Sequence, residues 1–198
     1  MAYTGATVSN FLMNATAGTL LIANLYVQLG RGFSTAEAGT LTLGYLVAVL
    51  AMIRVGEKLF QKVGAKKPML WGSCITTVGI ALMTLTHLEN VIYLPLVFIG
   101  FALFGLGLGF YATPSTDTSV QNALPGRIGV AAGVYKMASS LGGGIGIALS
   151  GSIYIMTRTA GLDVGAFWGL MVNVLFGVLS ILSIWFLVPA DAGKPQSK

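Results

Sequence analysis

Four side-chain amides, Asn10, Asn14, Asn24 and Gln28, fall on one stripe when the first hydrophobic stretch is wound at about 100° per residue. Facing lipid, an amide has no hydrogen-bond partner, so the stripe must look at protein or at a water-filled path. That chemistry is recognition and passage of a polar solute, or hydrogen bonding between helices. Ionisable groups inside the hydrophobic stretches are scarce. Arg54 and Glu57, spaced i to i+3 near the end of the second stretch, can pair on one helix face. Lys136 lies about two turns inside the fifth, where its stem can snorkel to the surface or its ammonium can face a substrate path.

No Asp or Glu occupies the middle of any stretch, although a proton-coupled carrier needs a buried carboxylate to take and release the proton. Ser150 in Ala-Leu-Ser-Gly has no base at hand, because the one histidine, His87, falls at the end of the third stretch. The run Gly105-Leu-Gly-Leu-Gly sits inside an apolar segment with no strand before it and is not a dinucleotide fingerprint. The single Cys74 has no metal-ligand neighbours and reads as packing. The expectation is a protein that is not an enzyme and has no cofactor and no metal site.

What positions these residues is a set of six hydrophobic stretches, at residues 7–29, 39–60, 68–86, 91–113, 129–157 and 164–188. Each has about the 20 apolar residues that a membrane-crossing helix needs. With 55% hydrophobic and 9% charged residues, the composition excludes a soluble domain. The fold class expected is all-α: a polytopic membrane protein whose 198 residues form a single six-helix transmembrane domain. The connections are short. The longest, residues 114–128, is rich in turn and capping residues, Pro114, Ser115, Thr116, Asp117, Asn122, Pro125 and Gly126, and reads as a cytoplasmic linker.

The net charge of +5 raises nucleic acid or an anionic surface as partners, but the charges sort by loop. Lys58, Lys62, Lys66, Lys67, Arg127, Lys194 and Lys198 fall on one side, Arg31 and Arg158 on the other. By the positive-inside bias the first side is cytoplasmic, which puts both termini in the cytoplasm of a multi-pass plasma-membrane protein. No nucleic-acid partner is implied. The segment 1–6 carries no positive charge and does not read as a cleaved signal. Trp71, Tyr111 and Trp185 near inner ends, and Tyr26, Tyr93 and Trp168 near outer ends, fit interfacial belts.

Small residues mark where helices can approach closely. Gly105 and Gly109 do so on the fourth span, and Ser140, Gly144, Ala148 and Ser152 on the fifth, with Gly142, Gly146 and Ser150 as a second row. Such faces can pack, or can let a helix bend and rock. The third and sixth spans carry few polar groups and are expected at the lipid-facing periphery, with Asn173 against a neighbouring helix.

Three stretches carry a family resemblance over the whole chain: Phe11-Leu-Met-Asn-Ala-Thr, the second-span exit from Gly56 to Pro68, and the Gly-rich run from Ser139 to Gly151. The chain resembles the C-terminal six-helix half of a major facilitator superfamily carrier, specifically of the 14-helix drug:proton antiporters that expel quinolones and other drugs. The exit resembles the superfamily's cytoplasmic loop motif. Gln61 stands at its acidic position and Lys62 at the following Arg; Gly64 fits, Lys66 and Lys67 trail it, Gly56 is one position early, and Arg54 and Glu57 precede the loop.

The resemblance implies a cavity-lining first span, with Asn10, Asn14, Asn24, Gln28 and Lys136 as candidate substrate-path residues and Phe98, Phe101 and Phe104 near an apolar cavity. It implies small amphipathic drugs as substrates and the lipid bilayer as surroundings. It also implies that the coupling carboxylates belong to an N-terminal half, which, or less readily a homodimer mate, would complete a carrier inactive alone. The competing expectation is a non-transporting membrane scaffold or an inactive remnant.

Overall fold

The computed structural model describes residues 2–123, 126–190 and 192; Pro125, Lys194 and Lys198 of the charge and loop reading lie outside them. The chain forms six rods. The first is built from α1 (Ala2–Ala15), α2 (Gly18–Leu25) and a π-helical turn (Tyr26–Gly30). The others are α3 (Thr35–Val63), α4 (Lys66–Met83), α5 (Asn90–Gln121), α6 (Ile128–Thr157) and α7 (Leu162–Leu187). All but α4 are long and apolar enough to cross a membrane by themselves.

Local chemistry sets the helix ends. Ser34 and Glu37 form a reciprocal capping box at the start of α3: Ser34 N–H donates to Glu37 Oε2 at 2.8 Å, and Glu37 N–H donates to Ser34 Oγ at 3.3 Å. Gly64, at φ 79°, takes the left-handed turn that ends α3, and its N–H reaches Phe60 O at 2.9 Å. Pro68 then falls in the first turn of α4, where a missing N–H costs nothing.

The fourth span runs two turns beyond its expected end, through Pro114 to Gln121. Its 32 residues measure roughly 48 Å at about 1.5 Å each, more than a hydrocarbon core of about 30 Å. Thr116, one of the residues that suggested a linker, bonds back to its own helix instead, donating to Ala112 O at 2.9 Å, and Thr118 does the same to Pro114 O at 2.7 Å.

Glycine seams bring the rods together. On α5, Gly105 and Gly109 face α3, where a methyl at Gly109 would lie 2.7 Å from Met52 Cβ, and Gly107 faces Gly72 and Thr76 of α4. On α6, Gly142 and Gly146 lie on the carbonyls of Phe11 and Ala15, so the first span has no space for a side chain there. The row Ser140, Gly144, Ala148 and Ser152 is different: it is exposed, and Gly144 has nothing within 4 Å.

Two further expectations change. The third span is not peripheral: α4 packs on α5 and α7 and buries Ser73, Thr76 and Thr77, leaving a narrow outer stripe at Lys67, Trp71, Cys74 and Val78. Tyr26, Tyr93 and Tyr111 are buried rather than interfacial, at 2%, 0% and 2% exposure, whereas Trp71, Trp168 and Trp185 are exposed. Each tyrosine hydroxyl has a partner inside the bundle, which makes burial affordable.

At one end of the bundle Arg31, placed by the π-turn, is held by three acceptors of the α4–α5 turn. Its guanidinium donates to Thr86 O and Leu88 O at 2.6 Å and to Asn90 Oδ1 at 2.8 Å. It also lies 4.8 Å from the Tyr93 ring centre and 5.2 Å from that of Tyr26. The start of α1 and the end of α7 meet at the other end, where Gly5 abuts Leu187.

Candidate functional site

The end opposite Arg31 opens into a cleft of about 450 Å³ between α1, α3, α5 and α6. Its polar lining is Asn10, Asn14, Tyr45, Tyr111, Thr116, Tyr135, Lys136 and Ser139; its apolar wall is Val49, Ile53, Leu108, Ala112, Val120 and Ala132.

Asn10 is almost fully buried, and its Nδ2 donates to Tyr135 O at 3.0 Å, which ties α1 to α6 across the back of the cleft. One turn on, Asn14 Nδ2 donates to both Asn10 O and Asn10 Oδ1 at 2.8 Å. The i to i+4 spacing therefore builds an amide pair, and the pair closes on itself before it meets any solute. Behind it runs a chain of hydroxyls. Tyr135 OH donates to Ser115 Oγ at 2.9 Å and Ser115 Oγ to Tyr111 OH at 3.0 Å, while Thr116 Oγ1, whose proton goes to Ala112 O, lies 3.4 Å from Tyr135 OH. Tyr111 OH and Ser9 Oγ are 2.8 Å apart, and Ser9 Oγ also donates to Ala6 O at 3.1 Å. Every buried oxygen in this file has a partner, which fixes the cleft wall.

The stripe of four amides does not stay together. The first span tightens at Thr16 and Ala17, whose N–H groups bond three residues back, to Met13 O at 3.2 Å and Asn14 O at 2.9 Å. Thr16 Oγ1 competes for the same Met13 carbonyl at 2.7 Å. Beyond that bend Asn24 bonds Leu20 O at 2.8 Å and accepts from Thr42 Oγ1 at 3.2 Å, while Gln28 Oε1 accepts from Thr35 Oγ1 at 3.1 Å. Both hold α3, and neither lines the cleft. Of the five substrate-path candidates, Asn10, Asn14 and Lys136 share the cleft.

Of the residues of the expected loop motif, Arg54, Glu57, Gln61, Lys62 and Lys67 are exposed, and no N–O contact of 4.0 Å or less joins Arg54 to Glu57. The pair that the spacing allowed does not form. Lys66 Nζ instead donates to Trp185 O at 2.8 Å, fastening the α3–α4 turn to the end of α7. Phe101 and Phe104 are core, Phe98 is exposed, and none of the three touches the cleft. Asn173 is fully buried; its Nδ2 donates to Gly169 O at 2.9 Å, and its Oδ1, without a hydrogen-bond partner, lies beside Gly18 at the bend.

Sequence reasoning missed Tyr45, Tyr111, Tyr135, Ser9 and Ser115. A signal existed for Tyr135: it precedes Gly142 by two turns on the row that buries against α1. Among the described residues no three His, Cys, Asp or Glu side chains gather as metal ligands.

Comparison with known proteins places this geometry. Quinolone resistance protein NorB from Staphylococcus aureus strain MRSA252 is 54% identical over 189 residues, which is 95% of this chain and 41% of NorB; NorB from strain COL matches to the same extent. The chain thus spans less than half the length of these curated relatives. In fold it is similar to a bacterial homologue of the human drug peptide transporters PepT1 and PepT2, with a TM-score of 0.78 at 22% identity over 98% of this chain and 44% of that one. The Major Facilitator Superfamily model matches residues 4–198, and the chain therefore belongs to the Major Facilitator Superfamily.

Proposed function

We propose that this chain is the six-helix half of a plasma-membrane carrier that expels small amphipathic drugs, active once an N-terminal half faces it. The observation that carries the reading is the 54% identity over 95% of the chain to a quinolone resistance protein, together with a polar cleft on the side where α3 and α6 are barest. Alternating access needs two bundles around one site. The exposed row Ser140, Gly144 and Ala148 is a surface on which a second bundle can close. Within such a pair Asn10 and Asn14 set the wall of the path, Lys136 and Ser139 reach into it, and the bend at Thr16–Ala17 lets the two parts of the first span tilt separately. Proton coupling belongs to carboxylates of the other half. Transport asks for no bond-making group, in keeping with a non-enzyme.

The test is export. Co-expression with the N-terminal half of the S. aureus relative should lower cellular dye accumulation, and Asn14→Leu should weaken the effect with the protein level unchanged. Unchanged dye accumulation despite good insertion of both halves would reject the reading in favour of a scaffold.

The same reading puts the α3–α4 turn and both termini in the cytoplasm. In a Cys74→Ala background, a cysteine at exposed Ser34 should react with an impermeant thiol reagent in intact cells, and one at exposed Lys62 should not. The reverse pattern would invert the topology. Ala65, in the same turn, is fully buried and would stay silent on either side.

A further inference from the structure

The turn between α3 and α4 carries four lysines within ten residues, Lys58, Lys62, Lys66 and Lys67, and the cleft makes no use of them. Among the described residues no carboxylate lies within 4.0 Å of any of their ammonium groups. Gln61 supplies no charge where the loop motif would place an acid. Glu57 lies about 140° round α3 from Lys62, within electrostatic reach of Asp117 on α5. Asp191, Lys194 and Lys198 of the tail lie outside the described residues and form no part of the site. Lys62 and Lys67 are exposed, so these cations are open to an anion from outside the chain.

What surrounds them has the profile of a phospholipid. Lys67 heads the outer stripe of α4, followed one turn on by Trp71 and then by Cys74 and Val78, so a cation, an indole and bare apolar surface succeed one another along the helix. Beside it, half-buried Lys66 donates to Trp185 O at 2.8 Å and lies 5.9 Å from that ring, which leaves two of its three N–H groups free. Trp71 and Trp185 are 50% and 62% exposed, as indoles at headgroup depth are. α4 packs on α5 and α7 and lines no part of the cleft, so its stripe faces away from the side on which a second bundle can close. We infer that this turn binds the headgroup of an anionic phospholipid, with Lys62, Lys66 and Lys67 around its phosphate and an acyl chain along Trp71, Cys74 and Val78. A zwitterionic headgroup would bring its own cation against the lysines and bind less well. The inference stands apart from the export reading, and needs only that the rods cross a bilayer.

The test uses the full chain in phosphatidylcholine discs and follows tryptophan quenching by phosphatidylglycerol or phosphatidylcholine brominated high on the acyl chains. Each tryptophan is kept alone in turn, the others changed to Phe, and exposed Trp168, at the opposite end of α7, is the reference. Beside Trp71, brominated phosphatidylglycerol should displace the host lipid about tenfold more effectively than brominated phosphatidylcholine, since a basic side chain near an anionic surface is worth roughly fivefold. Beside Trp168 the ratio should stay within about twofold. Lys62→Gln with Lys67→Gln should bring the Trp71 ratio down to about twofold, and Lys62→Arg with Lys67→Arg should keep it; Lys66 is left in place because it fastens α7. Lys136→Gln removes an equal charge from the cleft and should change nothing. A ratio near one at Trp71, the same ratio at Trp168, a ratio that survives loss of both lysines, or one that falls equally with Lys136→Gln would overturn the inference. So would loss of the preference once a tryptophan-free N-terminal half is bound, which would make that half the occupant of the turn.

Discussion

Arg31 and Lys136 are cations at opposite ends of one bundle, and they are treated in opposite ways. Arg31 is engaged: three acceptors on the α4–α5 turn and two tyrosine rings hold it, with only its Nε lacking an acceptor, and Thr86 passes the connection on by donating its hydroxyl to Asp163 O at 2.9 Å. Lys136 is exposed at the lip of a cleft that offers it no carboxylate. One end of the half-bundle is therefore clamped across the α2–α3, α4–α5 and α6–α7 turns, and the other is open. In the proposed carrier, a half that rocks against a partner as a rigid body would gain from such a division, because the clamp keeps its helices together while the open end is free to accept a solute.

Substitutions can break that contrast, and the largest effect should come from the seam between the ends. Gly146→Leu drives a side chain into the Ala15 carbonyl, and should cost about 3 kcal/mol or strip the chain from the membrane altogether. Gly144→Leu, two residues away on the bare row, should leave the chain's own thermal stability in detergent unchanged and should weaken only its association with a second bundle.

Next in size is the clamp. Arg31→Ala orphans the carbonyl of Leu88, leaves Thr86 O with the Tyr26 hydroxyl alone, and should cost roughly 3 kcal/mol, read as a lowered unfolding temperature and faster proteolysis at the Arg31 end. Arg31→Lys should recover less than half, since an ammonium cannot spread over the same acceptors and both rings. Smaller again, Tyr111→Phe removes the centre of the hydroxyl file and should cost about 1 kcal/mol. Smallest is Lys136→Gln, expected to shift stability by no more than about 0.5 kcal/mol. A destabilisation as large as that of Arg31→Ala would make Lys136 a second clamp and erase the contrast.

The clamp and the cleft were not equally legible in the sequence. Hydropathy alone found the six rods, because a lipid solvent demands long apolar helices. The glycine row at Gly142 and Gly146 could be read from spacing, but not which of the two rows would pack, since that depends on where Phe11 and Ala15 lie. Arg31 read only as a loop charge: its partners are mostly main-chain carbonyls, which every residue possesses, so no side-chain pattern announces them. The amide stripe was legible as a stripe, yet the bend at Thr16–Ala17 and the contacts of Asn24 and Gln28 with α3 divided it. Tyr111 and Tyr135 look interfacial by residue type, and only tertiary hydroxyl partners make them interior.

The most direct test of the division places one cysteine at each end of the completed carrier, Ser139→Cys in the cleft and His87→Cys beside Arg31, in a Cys74→Ala background. Thiol labelling is then followed with and without the amphipathic dye of the export assay. Protection at position 139 with none at position 87 is the predicted result. Equal labelling at position 139 with and without solute, or protection confined to position 87, would contradict it.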